Sequence, residues 1–138
     1  MSHLPKQSAT LRNRERLKIE FTRAAPLREI YPQLANVRVE IEFDDGTSRK
    51  PSPQAFSYFP GARGFFRYAC PCHTCSGEFD LSEHVAELVA GPGRTQRSSN
   101  ARIICPGQRT LEPGAESNCP ILAEVRVSAV LHTTEQST

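Results

Sequence analysis

Three thiols and an imidazole fall within six consecutive residues, Cys70-Pro71-Cys72-His73-Thr74-Cys75. Two cysteines at C-x2-C spacing can grip one ion, because a tight turn directs both sulfurs to the same point and leaves two coordination positions to be filled from elsewhere. The remaining cysteines, Cys105 and Cys119, stand apart in the chain and each precedes a proline, as Cys70 also does. These residues predict a tetrahedral zinc ion held by Cys72, Cys75, Cys105 and Cys119, with Cys70 as the alternative ligand. His73 lies between two better ligands and is assigned a supporting or surface role. His84 is read as a partly buried helical histidine.

Other chemistries of the same cluster are weaker. Pro71-Cys72-His73-Thr74-Cys75 has the P-C-x-x-C half of a zinc nucleobase deaminase, which also requires an upstream H-x-E. The only upstream histidine is His3, followed by Leu4 and Pro5, so the catalytic glutamate is missing. A thiol-disulfide oxidoreductase needs a helix start behind its C-x2-C to lower the first thiol's pKa; here Gly77 and an extended Glu78-Phe79 follow. Redox switching or metal sensing by Cys70, Cys72 and Cys75 stays open as the alternative function, since metal-bound thiolates can be oxidised and release their ion. An iron-sulfur cluster on Cys70, Cys72, Cys75 and one distal cysteine is the alternative cofactor. The sequence contains no P-loop, no nucleophile elbow and no H-E-x-x-H.

Cys72-His73-Thr74-Cys75 with Gly77 close behind resembles the first knuckle of zinc-ribbon and zinc-knuckle proteins, and the resemblance extends over roughly residues 65–127. It implies short strands leading into cysteine turns and a mainly structural metal. The second pair, Cys105 and Cys119, is separated by thirteen residues.

The elements that must position these thiols are read from periodicity. Leu17, Ile19 and Phe21 alternate with charged or polar residues, which predicts a strand. Pro26 opens a brief helix that Pro32 limits. Val37, Val39, Ile41 and Phe43 alternate with Arg38, Glu40 and Glu42 ahead of Asp45-Gly46, predicting a strand entering a hairpin turn. Residues 65–69 form a strand running into the cysteine cluster. Asp80 and Glu83 suit the start of a helix reaching Ala90, with Leu81, Val85, Leu88 and Val89 as its apolar stripe, and Gly91-Pro92 ends it. Residues 91–100 and 106–118 read as polar loops on either side of a short strand, 101–104. Ile121, Ala123, Val125, Val127, Ala129 and Leu131 lie on one face of a long strand.

The chain has 138 residues, 38% of them hydrophobic, with eight glycines and eleven prolines, which fits one loop-rich domain that needs more than core burial to hold it. The expected organisation is a flexible basic segment over 1–15, a zinc-stapled α+β domain over 16–132 and a flexible tail over 133–138. Its fold class is an antiparallel β-sheet with one short helix and a cysteine-ligated site. Net charge is only +2, too low for a dedicated nucleic-acid binder, although basic residues concentrate in the first thirty. No run of about twenty apolar residues and no signal segment is present, so the expected setting is cytoplasmic, without membrane contact. There, clustered cysteines favour metal over disulfides. Six of the ten aromatics, Phe56, Tyr58, Phe59, Phe65, Phe66 and Tyr68, crowd together and are assigned to the core, with base stacking as the other use. The expected role is noncatalytic, binding a protein or nucleic-acid partner.

Overall fold

The computed structural model describes residues 9–44, 53–72, 75, 77–91, 93–112 and 115–132. The 1–8 part of the basic segment, the Asp45-Gly46 turn, His3, His73 and the 133–138 tail lie outside them.

The chain begins with α1 (Ala9–Arg23) and α2 (Leu27–Ile30), followed by β1 (Leu34–Asp44), β2 (Gln54–Tyr58), β3 (Arg67–Ala69) and β4 (Glu78–Asp80). After α3 (Ser82–Ala90) come β5 (Gln96–Ile104), β6 (Gln108–Glu112), β7 (Ala115–Asn118) and β8 (Leu122–Leu131). The main sheet is antiparallel with strand order β2-β1-β8-β5, and β3-β4 and β6-β7 form two-stranded ribbons. The protein is α+β.

The two central strands follow from their alternation. Val37, Val39, Ile41 and Phe43 stand opposite Ala129, Val127, Val125 and Ala123, so the register places these eight apolar residues on one face. All eight are buried. The other face carries Arg38, Glu40 and Glu42 beside Ser128, Arg126 and Glu124. Such a sheet needs one cover, and two elements share the task. Helix α3 inserts Val85 and Val89 against the β8 and β5 side, while the β3-β4 ribbon sends Phe79 onto Phe43 with ring centroids 5.6 Å apart and Tyr68 onto Phe56 at 4.8 Å. Tyr58 packs on Phe66 and its hydroxyl lies 2.6 Å from that of Tyr68. Of the aromatic crowd, Tyr58, Phe66 and Tyr68 are therefore core, Phe56 and Phe65 are half-buried, and Phe59 is exposed.

The structure corrects the sequence reading in three places. Leu17, Ile19 and Phe21 lie on α1, not on a strand: Arg, Glu, Leu and Lys dominate the segment and favour helix, and Arg16 and Glu20 form an i,i+4 ion pair along it. Only Leu17 of the three turns inward; Ile19 and Phe21 are exposed. The helix also crosses the boundary expected between 15 and 16. Strand β5 starts at Gln96, because Gln96 to Asn100 pair with β8 despite their polarity, so most of the expected 91–100 loop is sheet. Likewise residues 106–118 contain the β6-β7 ribbon rather than a structureless loop. Helix α3 begins at Ser82, and Asp80 helps its first turn by accepting the Ser82 N–H at 2.9 Å.

Candidate metal centre

Four short stretches deliver the converging thiols. Strand β3 ends at Ala69 and hands over to Cys70; Cys75 and Gly77 precede β4; β5 ends immediately before Cys105; β7 leads into Cys119, which lies three residues before β8. Cys70, Cys75, Cys105 and Cys119 converge, with all four sulfurs within 4.8 Å of one another. Cys72 is also buried but is not a member of this group. The structure thus brings together three of the four ligands first chosen from sequence and the alternative, Cys70. His84 lies on α3, outside the group.

The separations identify what the group can hold. Cys70 Sγ lies 3.7 Å from Cys119 Sγ, and Cys75 Sγ lies 3.5 Å from Cys105 Sγ. A disulfide would need about 2.05 Å, so these are thiol pairs. Four sulfurs each about 2.3 Å from a common centre stand about 3.8 Å apart, the edge of a zinc-thiolate tetrahedron. The four cysteines could hold a metal ion.

Backbone geometry prepares each sulfur. Gly77 N–H donates to Cys75 Sγ at 3.1 Å and Gly107 N–H to Cys105 Sγ at 3.4 Å. The Cys72 and Ile121 backbone N–H groups serve Cys70 and Cys119 in the same way. In every case the donor is two residues beyond the cysteine. Three of the intervening residues are Pro71, Pro106 and Pro120, whose fixed φ favours the turn that carries the next N–H back to the sulfur.

The two halves of the site meet at their glycines. Cys70 N–H donates to Gly77 O at 3.1 Å, and Cys119 N–H to Gly107 O at 3.0 Å, so each half closes on itself in the same manner. A Cβ on Gly107 would lie 2.5 Å from Gly77 Cα and 2.6 Å from Cys75 Sγ. Only glycine allows this approach. Cys105 N–H also bonds Ile121 O at 2.9 Å, tying the end of β5 to the start of β8.

Electrostatics match the donor set. Burial raises the pKa of Cys70, of Cys105 to about 12 and of Cys119, against the lowering effect of the backbone N–H donors. Unliganded, these three are neutral thiols at pH 7. A bound divalent cation would invert that balance and favour the thiolates, and the four N–H donors would disperse the surplus negative charge.

Helix α1 closes the site from outside. Asn13 Nδ2 donates to Gly77 O at 3.2 Å, Arg14 Nη2 to Cys70 O at 3.5 Å, and Arg16 pairs with Glu78 at the start of β4. Sequence reading missed this contribution because it assigned the segment to a strand. The repeated Cys-Pro context of Cys70, Cys105 and Cys119 was the available signal for the thiols that converge.

Comparison with family models, curated proteins and solved structures gives no match.

Proposed function

We propose that this is a small zinc protein whose ion is a structural clasp, and that it works as a noncatalytic interaction module for a macromolecular partner. The observation carrying the metal reading is the convergence of four buried sulfurs within 4.8 Å, at edge lengths suited to one tetrahedral ion. An iron-sulfur cluster would place several irons between the thiolates and spread them further apart, so the spacing favours a single ion. The four converging cysteines are between 1% and 4% exposed, which leaves no approach for a substrate and supports a structural over a redox role. The ion would join β3, β4, β5 and β8, and so fasten the covering ribbon to both ends of the β6-β7 excursion.

Native mass spectrometry on the purified full chain tests this directly, with one zinc per molecule expected. Tetrahedral sulfur also suits a mononuclear iron, and the two are separable by eye: zinc thiolate is colourless, whereas ferric thiolate absorbs in the visible. A metal-free chain that melts cooperatively and ignores chelator would overturn the structural-metal reading.

A further inference from the structure

A groove of about 650 Å³ runs between α1 and strands β2 and β3. Phe56, Tyr58 and Tyr68 line it together with Leu17, Phe21 and Phe65, and Arg14 and Lys18 stand one helical turn apart on its α1 rim. No carboxylate side chain is among the described lining residues. Phe21, 45% exposed, packs edge-on against Phe65 with centroids 5.9 Å apart. Beside the groove, β2 is the end strand of the sheet and pairs with β1 alone among the described residues. Gln54, Phe56 and Tyr58 face the groove, and Gln54, Ala55 and Ser57 are exposed.

From this juxtaposition we propose that the groove is a docking site for a short acidic segment of a partner protein, one that alternates apolar side chains with carboxylates. The proposal rests on the reading of the protein as an interaction module and specifies its working face. Apolar side chains of the segment would fill the Phe21-Phe56-Phe65 floor. Its carboxylates would meet Arg14 and Lys18, whose present contacts, to the Cys70 carbonyl at 3.5 Å and to Glu15 at 3.8 Å, are long enough to yield to a closer carboxylate, and an extended backbone could add to the open edge of β2.

Charge decides between possible occupants. A nucleic acid presents a phosphate at every nucleotide and needs a track of cations with open ring faces. Here the rim cations lie on one helix only. Arg67, the third lining cation, is engaged by Glu78 and Glu20, and its guanidinium lies 5.8 Å from the Phe65 ring centroid, over a face that a base would need. The chain's own 1–8 stretch contains His3 and Lys6 and no acid, the wrong sign for this rim.

The test is selection of displayed random peptides on the full-length, zinc-loaded protein, with Lys18→Glu and Phe21→Ser proteins as parallel baits. Both positions are exposed and lie away from the thiols, and native mass spectra and melting curves of each bait establish that it is loaded and folded. Expected are peptides rich in Asp or Glu and in aliphatic or aromatic residues. Their affinity, measured by fluorescence anisotropy, should fall about three- to tenfold with Lys18→Glu and about tenfold or more with Phe21→Ser, and should weaken with salt. Chemical shifts of the Gln54 to Tyr58 amides should move on binding. Equal enrichment on wild-type and variant baits, selection of basic peptides, or tighter groove-dependent binding of a labelled oligothymidine would each overturn the proposal. So would self-association that the groove variants abolish. Peptide binding that survives both variants keeps the interaction module and discards this groove, whereas a bait free of zinc that still binds peptide at the groove discards the metal reading alone.

Discussion

At the scale of single residues, the thiol that sequence spacing favours and the thiol that geometry selects differ, and the difference is measurable. Cys70→Ser removes one corner of the four-sulfur group, so the variant should lose its ion or bind it far more weakly. Cys72→Ser should keep one ion per chain, since the Cys72 backbone N–H that serves Cys70 Sγ is retained. Native mass spectrometry of the two proteins separates the assignments. The C-x2-C spacing of Cys72 and Cys75 points to chelation because it is a frequent solution to it, while Cys70, Cys105 and Cys119 share a proline that places an N–H behind each sulfur. Gly107 offers an independent probe. Gly107→Ala pushes a methyl group onto Gly77 and the Cys75 sulfur, and its expected cost is about 1–3 kcal/mol by overpacking, read as a lowered denaturation midpoint and a faster loss of ion to chelator.

At the scale of elements, α1 is a clamp laid across the β3-β4 ribbon. Glu78 on β4 accepts from Arg67 of β3 and from Arg16 of α1, and Arg67 also reaches Glu20 at 3.0 Å. Burial alone would raise the Glu78 pKa, but the Arg67 and Arg16 guanidinium groups outweigh it and hold the carboxyl below its usual value. The folded protein therefore binds the Glu78 proton less readily than the unfolded chain. The resulting stabilisation is present above the ordinary carboxylate pKa and disappears as pH falls through the depressed one. Glu78→Gln should destabilise the protein by about 1 kcal/mol at pH 7, allowing for partial solvent screening, and the gap between variant and wild type should close below about pH 4. Thermal melts of both proteins across that range check the sign. Sequence reading found β1, α3 and β8 because each buries a continuous apolar face. It missed α1, whose Ile19 and Phe21 do not enter the core, and the start of β5, whose Gln96 to Asn100 are held by pairing with β8 rather than by their own hydrophobicity.

For the whole molecule, the four-stranded sheet and its cover are joined at one corner by sulfur. The β3-β4 ribbon is short, three residues a strand, and short ribbons are marginal without further support. The proposed ion supplies it, so chelation should release the ribbon and α1 together. Addition of a strong chelator should abolish the cooperative melt, and returning zinc should restore it. Because protons compete for the thiolates, and burial already raises Cys70, Cys105 and Cys119, zinc should be released progressively as pH falls, followed by a colorimetric zinc indicator. Loss of the groove should accompany loss of the ion, since Arg14 on its rim also bonds the Cys70 carbonyl.

The sequence alone determined the α+β class, the one-sided central strands and the presence of a cysteine-based site, because alternation and thiol clustering are local properties. Tertiary structure decided which four sulfurs meet, that Ala9–Arg23 is a helix gripping the site, and that aromatic rings and rim cations share one groove. Each depends on long-range contacts: Cys70 meets Cys119 across 49 residues and Asn13 meets Gly77 across 64. Spacing along a chain carries no information about such closures until the sheet register and the covering ribbon fix them in space.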